Sequence, residues 1–345
     1  MTPDRSISII ICTRNRGASL RQTLHTLGRL RIPPGWKVEV VLVDNASTDD
    51  TAAVAQQTRL PNMEMQCLHE SMRGKSNALN TGLTHAKGEI LLLTDDDVYL
   101  PENWVQNIAA PMLQGQTEAV MGPIALADHL LRPWMTASHK SLMAFFHLKS
   151  GPLELVGANA GFHREVLERV RGFDPELGPG ALGLGEDTLF GWQLAEAGFR
   201  MSLAQGAAVV HRPDPSRLLR RSWLVSARSH GRSIAYLLYH WKHEDIEAPF
   251  VKWMWMATKL WMRRLLQPPQ SLDSEGCPPW ELSYVWHLEM YRQFCVERRR
   301  PRNYARRGLT KLLNLPRRAM TGSAGAFDGS RRDPFLSSLR STRRS

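Results

Sequence analysis

Residues 88–98 read GEILLLTDDDV, an apolar run that ends in three successive aspartates. The strand that we predict at 89–93 is the most apolar in the chain, as is typical of a strand buried on both faces of a parallel sheet. In sheets of this kind, ligands bind beyond the carboxyl ends of the strands. The stretch therefore predicts a buried strand that brings acidic side chains to a binding edge.

The segments on either side of this strand alternate between strand-like and helix-like patterns. Strands are predicted at 6–12, 38–43, 63–68 and 201–210, and helices at about 19–29, 51–57, 75–86 and 187–197. A glycine-rich stretch at 157–185 predicts loops. This order predicts an α/β fold with a Rossmann-like, mostly parallel sheet flanked by helices.

The pattern changes near residue 213. Helices rich in Trp, Met, Lys and Arg predict a helical C-terminal extension at 214–297, followed by a basic, flexible tail at 298–345. The net charge of +11 is concentrated toward this end. Such a tail is attracted to anionic lipid and other polyanions, although a solvated, disordered end has the same composition. No specific nucleic-acid partner is expected.

Composition limits the class of protein. A chain of 345 residues with 43% hydrophobic residues can bury a sizeable core. Its four cysteines are scattered without a CxxC pair, which excludes a thiolate metal site and suits a reducing compartment. No run approaches the roughly eighteen apolar residues of a membrane span. We expect a cytoplasmic protein, either free or peripheral on the cytoplasmic membrane face.

The aspartate triplet is the strongest chemical signal. In a strand, Asp95 and Asp97 would face one ligand while Asp96 faces another. Carboxylates suit hard cations such as Mg²⁺ and Mn²⁺, and three adjacent charges repel unless a cation neutralises them. A helix cap or turn cluster is the alternative, but a cap requires only one aspartate.

Further polar groups stand at predicted strand ends and helix starts. Thr13 and Arg14 follow the first strand, Asp44 and Asn45 follow the second, and Arg73 and Lys75 open the third helix. Cations near a helix N-terminus suit a nucleotide or phosphate, although a solvated helix face explains them equally well. Asp44 is placed to accept hydrogen bonds from a base or a ribose.

Two candidates follow the glycine-rich loops. Glu186 and Asp187 open a helix, where they could act as a general base and an acceptor-binding group, or simply as first-turn acidic residues. His211 ends the last predicted strand. A lone histidine is usually structural, but a neutral imidazole could complete a metal site with the aspartates.

Together these segments resemble the GT-A fold of glycosyltransferase family 2. The resemblance covers about residues 6–213 and rests on seven motifs in order: SIIICTRNR, VVLVDNASTDDT, RGKSNALNTGL, GEILLLTDDDV, GANAGFHREVLERVRGFDPELG, GEDTLFGWQLAEAG and VVHRP. It implies a catalytic domain at 1–213, with a nucleotide-binding half at about 1–97 and an acceptor half at about 98–213.

The resemblance also implies roles for residues. The nucleotide sugar would be bound by Thr13, Arg14, Asp44, Asn45, Arg73, Lys75, Asp95 and Asp96. Mn²⁺ or Mg²⁺ would be held by Asp95 and Asp97 of a DxD motif and by His211. Asp187 would deprotonate an acceptor hydroxyl, with Glu186 beside it.

The implied reaction is a single inverting displacement from a UDP-sugar to a hydroxyl acceptor in cell-envelope, polysaccharide or glycolipid synthesis. Arg14 stands where many relatives carry an aromatic residue, which weakens the expectation of uracil. Three alternatives remain: a degenerate nucleotide-sugar-binding protein, a polyanion-binding protein, and a retaining transferase.

A helix at 250–266 provides a second partner hypothesis. Lys252, Lys259 and Arg263 recur at helical spacing, and an apolar side carries Trp253, Met254, Ala257, Trp261 and Leu265. This composition suits a helix lying in an anionic membrane surface, or one packed on the core.

Overall fold

The computed structural model describes residues 5–143 and 154–312. Strands are β1 Arg5–Thr13, β2 Trp36–Asp44, β3 Glu64–His69, β4 Ile90–Asp95, β5 Val98–Tyr99, β6 Ala119–Met121, β7 Ile124–Leu126, β8 Asn159–His163, β9 Met201–Leu203 and β10 Val209–His211. Helices are α1 Gly17–Leu27, α2 Thr51–Gln57, α3 Lys75–His85, α4 Trp104–Leu113, α5 Ala137–Leu142, α6 Glu186–Glu196, α7 Arg220–Tyr236, α8 Pro249–Leu266 and α9 Pro279–Glu297.

Seven strands form the central sheet in the order β3-β2-β1-β4-β8-β6-β9. The first four strands are mutually parallel, and β8 lies antiparallel between β4 and β6. Strands β1, β2 and β4 are buried over most of their length and mainly apolar there, because helices cover both faces of the sheet. The mixed α/β fold and its mostly parallel sheet are therefore confirmed.

The prediction of one continuous strand at 201–210 is wrong. The chain turns at 204–207, where the amide of Ala207 donates to the carbonyl of Ala204. This turn separates β9, which pairs with β6 in the central sheet, from β10, which joins β5 and β7 in a three-stranded sheet. The change of sheet carries His211 to the edge where the aspartates lie.

Helices α7, α8 and α9 form the predicted extension, and they share one core with apolar side chains of the α/β part such as Leu126, Leu177 and Leu189. Arg220 and Glu281 form an ion pair inside it, with 2.5 Å between Nη2 and Oε1, and Arg264 binds the same carboxylate at 2.7 Å. None of the helices within residues 5–143 and 154–312 is both long and apolar enough to cross a bilayer.

The first part of the tail predicted to be flexible, residues 298–312, packs against the rest of the protein. In residues 298–312, Asn303 and Tyr304 are buried, and the Tyr304 hydroxyl donates to Asp174 at 2.7 Å. Lys311 also reaches Asp174 at 2.6 Å. A buried carboxylate therefore holds this segment against the catalytic domain. The remainder of the predicted tail, 313–345, lies outside the described residues.

Candidate active site

A pocket of about 440 Å³ opens at the carboxyl ends of the central strands. Register brings the strand ends together, because Thr13 pairs with Asp44 and Cys12 pairs with Asp95. The pocket is lined by the following predicted residues: Thr13, Arg14, Asn45, Lys75, Asp95, Asp96, Asp97, Glu186, Asp187 and His211. Residues from opposite ends of the domain sequence thus meet in one pocket.

Two predicted residues do not line it. Asp44 is buried at the end of β2, where its carboxylate accepts the Ser47 amide at 3.3 Å. Arg73 is exposed just before α3. Asn45 lines the pocket and also fixes the backbone ahead of α3, since it donates to the Met72 carbonyl at 2.8 Å and accepts from the Gly74 amide at 2.8 Å.

The three aspartates do not follow the strand alternation predicted for them, because β4 ends at Asp95 and a turn carries Asp96 and Asp97. Asp95 binds Lys75, with 2.6 Å between Oδ1 and Nζ. Asp96 and Asp97 instead share the Arg16 guanidinium at 2.8 and 2.7 Å. Asp95 therefore binds one cation, whereas Asp96 and Asp97 together bind another.

Asp96 is a buried residue of the pocket lining. Its Oδ2 accepts the Thr13 hydroxyl at 2.7 Å. Burial raises the pKa of Asp96 to about 6, although the nearby charge of Arg16 opposes the rise. Asp96 thus acts within the protein to position Arg16 and Thr13.

Asp97 and His211 face each other, with 3.3 Å between Oδ1 and Nε2. Burial alone would raise the pKa of Asp97, but His211 and Arg16 outweigh it and hold that pKa below its usual range. Asp97 Oδ1 is buried and lacks a hydrogen bond of acceptable geometry. His211 Nδ1 lies 2.8 Å from the Met143 carbonyl, which only accepts, so Nδ1 must carry a proton.

The predicted metal ligands meet only in part. Asp97 and His211 are adjacent, whereas Asp95 is held by Lys75. Within the described part of the chain, no three His, Cys, Asp or Glu side chains form a preassembled metal site.

Glu186 and Asp187 have different surroundings at the start of α6. Glu186 is buried, and burial together with the charge of Asp187 raises its pKa to about 8. Asp187 is half-buried on the pocket wall, and its two oxygens accept the Gly157 amide at 3.0 Å and the Thr188 amide at 2.8 Å. The pocket thus holds a fixed carboxylate beside a carboxyl that stays protonated at neutral pH.

Sequence reasoning missed two cations of the pocket, Arg16 and Arg217. Arg16 stands three residues after Thr13 in the same strand-end loop, so its position gave a usable signal. Arg217 comes from the turn before α7, beyond the predicted domain boundary. Nothing in its local sequence distinguishes it from the arginines around it.

Two family models match the chain: glycosyl transferase family 2 over residues 8–171, and glycosyl transferase family group 2 over residues 90–297. The second covers more than half of the 345 residues.

The chain belongs to glycosyltransferase family 2.

Individual relatives of this family 2 glycosyltransferase agree with the match. The succinoglycan biosynthesis protein ExoM of Rhizobium meliloti is 26% identical over 245 residues, which are 66% of this chain and 75% of ExoM. Two other curated relatives are matched over only 38% of their own length: the glycosyltransferase GlyG of Streptococcus pneumoniae over 117 residues, and the beta-monoglucosyldiacylglycerol synthase of Synechocystis over 183 residues.

One solved structure shows the same GT-A fold. Staphylococcus aureus TarS 1–349 in complex with UDP has a TM-score of 0.50 at 16% identity, over 85% of this chain and 91% of TarS. The mannosyltransferase PcManGT of Pyrobaculum calidifontis, solved with GDP-Man and Mn²⁺, has a TM-score of 0.49 at 23% identity, over 83% and 69% of the chains.

Proposed function

We propose that this family 2 glycosyltransferase is a metal-dependent, inverting enzyme that moves a sugar from a nucleotide-diphosphate sugar to a hydroxyl acceptor. The observation that carries the proposal is the single pocket in which Asp187 shares the walls with Lys75, Asp97 and His211. The pocket therefore combines cations that suit a diphosphate with a fixed carboxylate close to Lys75.

The cations of the pocket support binding of the donor diphosphate. Arg14, Arg16, Lys75 and Arg217 all line it. Burial alone would lower the pKa of Lys75, but Asp95 and Glu186 raise it above its usual range, so the ammonium stays charged. A UDP-sugar is favoured, in keeping with the UDP of the TarS complex, and a guanidinium at Arg14 could stack on the base.

The surroundings of Asp97 fit a divalent cation. Because Nδ1 of His211 donates to the Met143 carbonyl, Nε2 is the ring nitrogen left for a metal, and it lies 3.3 Å from the buried Asp97 Oδ1. Burial alone would lower the pKa of His211, but Asp97 outweighs burial and raises that pKa, so a bound cation would take the place of the Nε2 proton. Histidine ligands of metals commonly donate their other ring N–H to a backbone carbonyl in this way. Asp97 and His211 would therefore hold Mn²⁺ or Mg²⁺, with Asp95 nearby. When bound, such an ion neutralises negative charge on the diphosphate.

Asp187 is placed to act as the base. Its carboxylate takes the proton of the acceptor hydroxyl as that oxygen forms a bond to the anomeric carbon. The bond from the anomeric carbon to the phosphate oxygen breaks, and the nucleoside diphosphate leaves with the electron pair. Because attack and departure lie on opposite faces, the configuration inverts. Lys75 and the pocket arginines stabilise the charge that develops on the leaving group.

Helix α8 supports peripheral membrane binding as part of this function. One face packs on α9 through Met256 and Leu260, while the opposite face exposes a stripe of large apolar side chains by 47–81% of their surface. The stripe consists of Phe250, Val251, Met254, Trp255, Trp261, Met262, Leu265 and Leu266. Of the apolar side predicted from sequence, Trp253 and Ala257 are half-buried instead.

The charges of α8 suit an anionic bilayer. The helix carries Lys252, Lys259 and Arg263 and no carboxylate, while its fourth cation, Arg264, is paired with Glu281. Lys259 Nζ lies 3.4 Å from the centre of the Trp255 ring, so one cation stands directly beside the apolar stripe. Apolar burial combined with attraction to anionic headgroups is the usual basis for interfacial helix binding.

Thermal unfolding with UDP, GDP, dTDP and CDP, each with and without Mn²⁺, tests the donor site. A ligand at a hundredfold excess over its Kd stabilises by about 2.7 kcal/mol. We expect a Mn²⁺-dependent shift with one nucleotide that is lost in Asp97→Ala and kept in Asp128→Ala, a variant of an exposed aspartate. If no nucleotide shifts the transition, the proposal is wrong and the polyanion-binding alternative is favoured.

A further inference from the structure

A second cavity, of about 410 Å³, lies behind the active-site pocket. It is enclosed by α6, the end of α7, the start of α8, and α9. We name it the aromatic cavity, and its inner wall is apolar: Trp192, Ile234, Leu237, Leu238, Trp286 and Met290. Its volume falls in the range of about 300–1,000 Å³ that is usual for small-molecule sites.

The aromatic cavity adjoins the active-site pocket, because Ile234 and Leu237 line both. Leu237 also approaches the catalytic loop, since its Cδ1 lies 3.6 Å from where a Cβ on Gly185 would stand. Gly185 directly precedes Glu186 and Asp187. A molecule that extends past Ile234 and Leu237 would therefore have one end in the cavity and the other beside the proposed base.

The backbone around the cavity departs from regular geometry. Residues Leu237–Lys242 form a π-helical turn at the end of α7. The rim loop that follows is bracketed by two non-glycine residues with left-handed φ, His243 at 57° and Ala248 at 45°. Such conformations cost energy and are found preferentially at functional sites. The two irregularities surround this cavity.

The rim of the cavity carries charges of both signs and connects to the exposed stripe of α8. Lys252, Glu244, Asp245 and Glu247 line this rim. Lys242 is buried, and its Nζ lies 4.4 Å from the centre of the Trp192 ring, so one cation stands against the aromatic part of the wall. The remaining interior is apolar and is the main recognition element. Lys252 stands in the first turn of α8, next to the exposed Val251. The cavity and the proposed membrane face thus meet at the start of one helix.

We propose that the aromatic cavity binds the hydrocarbon chain of an amphiphilic acceptor whose hydroxyl reaches Asp187. The inference rests on the proposed function and names its acceptor class. An interior of Trp, Leu, Ile and Met binds a hydrocarbon chain because both surfaces are removed from water. A bilayer in contact with α8 would supply such a chain. Acyl and isoprenoid chains share this chemistry.

Binding of alkyl glucosides to the full-length protein, measured by calorimetry below their micelle-forming concentrations, tests the proposal. Affinity should rise about fourfold per added methylene, or about fifteenfold from hexyl to octyl, because each CH₂ that is removed from water adds a similar favourable free energy of binding. Decyl and geranyl glucosides, of equal carbon number, distinguish a straight chain from an isoprenoid.

Leu238→Trp fills the cavity at a half-buried position and should abolish the chain-length dependence. Val225→Trp, on an exposed position of the same helix, should leave it intact. An unchanged dependence in Leu238→Trp, or none in the wild type, would overturn the proposal. The nucleotide and Mn²⁺ thermal shift shows that each variant is folded. Its absence in the wild type would mark failure of the proposed function instead.

Discussion

Replacement of Asp187 by Asn separates catalysis from binding. Asn keeps the size of the side chain but has no carboxylate to accept the acceptor proton. The carboxylate now accepts two backbone amides, and Asn can accept only one of them. One lost hydrogen bond costs about 1–3 kcal/mol of stability, a decrease of several degrees in Tm.

The rate should fall much further than stability. A positioned general base contributes about 10²–10⁴-fold, which corresponds to about 3–5 kcal/mol in the barrier. The assay is release of nucleoside diphosphate from the donor, with water in place of the acceptor. Since Asp187 makes no hydrogen bond to Lys75, Asp97 or His211 within the described residues, the nucleotide-induced thermal shift should persist.

Two further variants complete this test. Asp187 helps to raise the pKa of Glu186, so Asp187→Asn could free Glu186 to act as a substitute base. Adding Glu186→Gln should then remove any residual base catalysis, while Asp128→Asn should behave as wild type. A rate within tenfold of wild type in the double variant, with the thermal shift retained, would refute the assignment of Asp187 as the base.

Burial raises the pKa of Glu186 from 4.5 to about 8, so the folded state holds a proton that the unfolded state has lost, and stability should fall by at most about 1.4 kcal/mol per pH unit between these values. In thermal unfolding, Glu186→Gln should flatten this pH dependence, and an unchanged slope would contradict the prediction. The double variant Trp255→Ser with Trp261→Ser should reduce co-sedimentation with anionic vesicles, and Lys259→Glu should reduce it mainly at low salt. The control Val225→Ser should bind as wild type, and equal binding by all variants would exclude the exposed face of α8 as the membrane-binding surface. Glu281→Ala leaves the buried Arg220 without its carboxylate and should lower the free energy of unfolding in denaturant by about 3–5 kcal/mol. The double variant Arg220→Met with Glu281→Leu should recover most of this loss, and no recovery would show that the loss comes from packing and not from the unpaired charge.

The order of strands and helices could be predicted because apolar periodicity is local. The ends of β1, β2 and β4 therefore located the site, and their side chains meet there. What the local pattern could not show was where β4 stops. The turn at Asp96 and Asp97 pairs both with Arg16, a contact between residues eighty positions apart in sequence.

The other differences also arise from long-range contacts. The split between β9 and β10 depends on which sheet each half joins, and periodicity carries no such information. The start of the predicted tail is held by the buried Asp174, a partner more than a hundred residues away. Arg217 enters the pocket only because the helical extension packs on the catalytic domain.

The anomer first released from a nucleotide sugar tests the central claim most directly. Proton NMR would follow Mn²⁺-dependent hydrolysis of α-linked UDP-sugars, and of the matching GDP-, dTDP- and CDP-sugars, before mutarotation mixes the anomers. We expect the β-anomer to appear first, and we expect its release to be about 10²–10⁴-fold slower in Asp187→Asn. Appearance of the α-anomer first, or no metal-dependent breakdown of any donor, would contradict it.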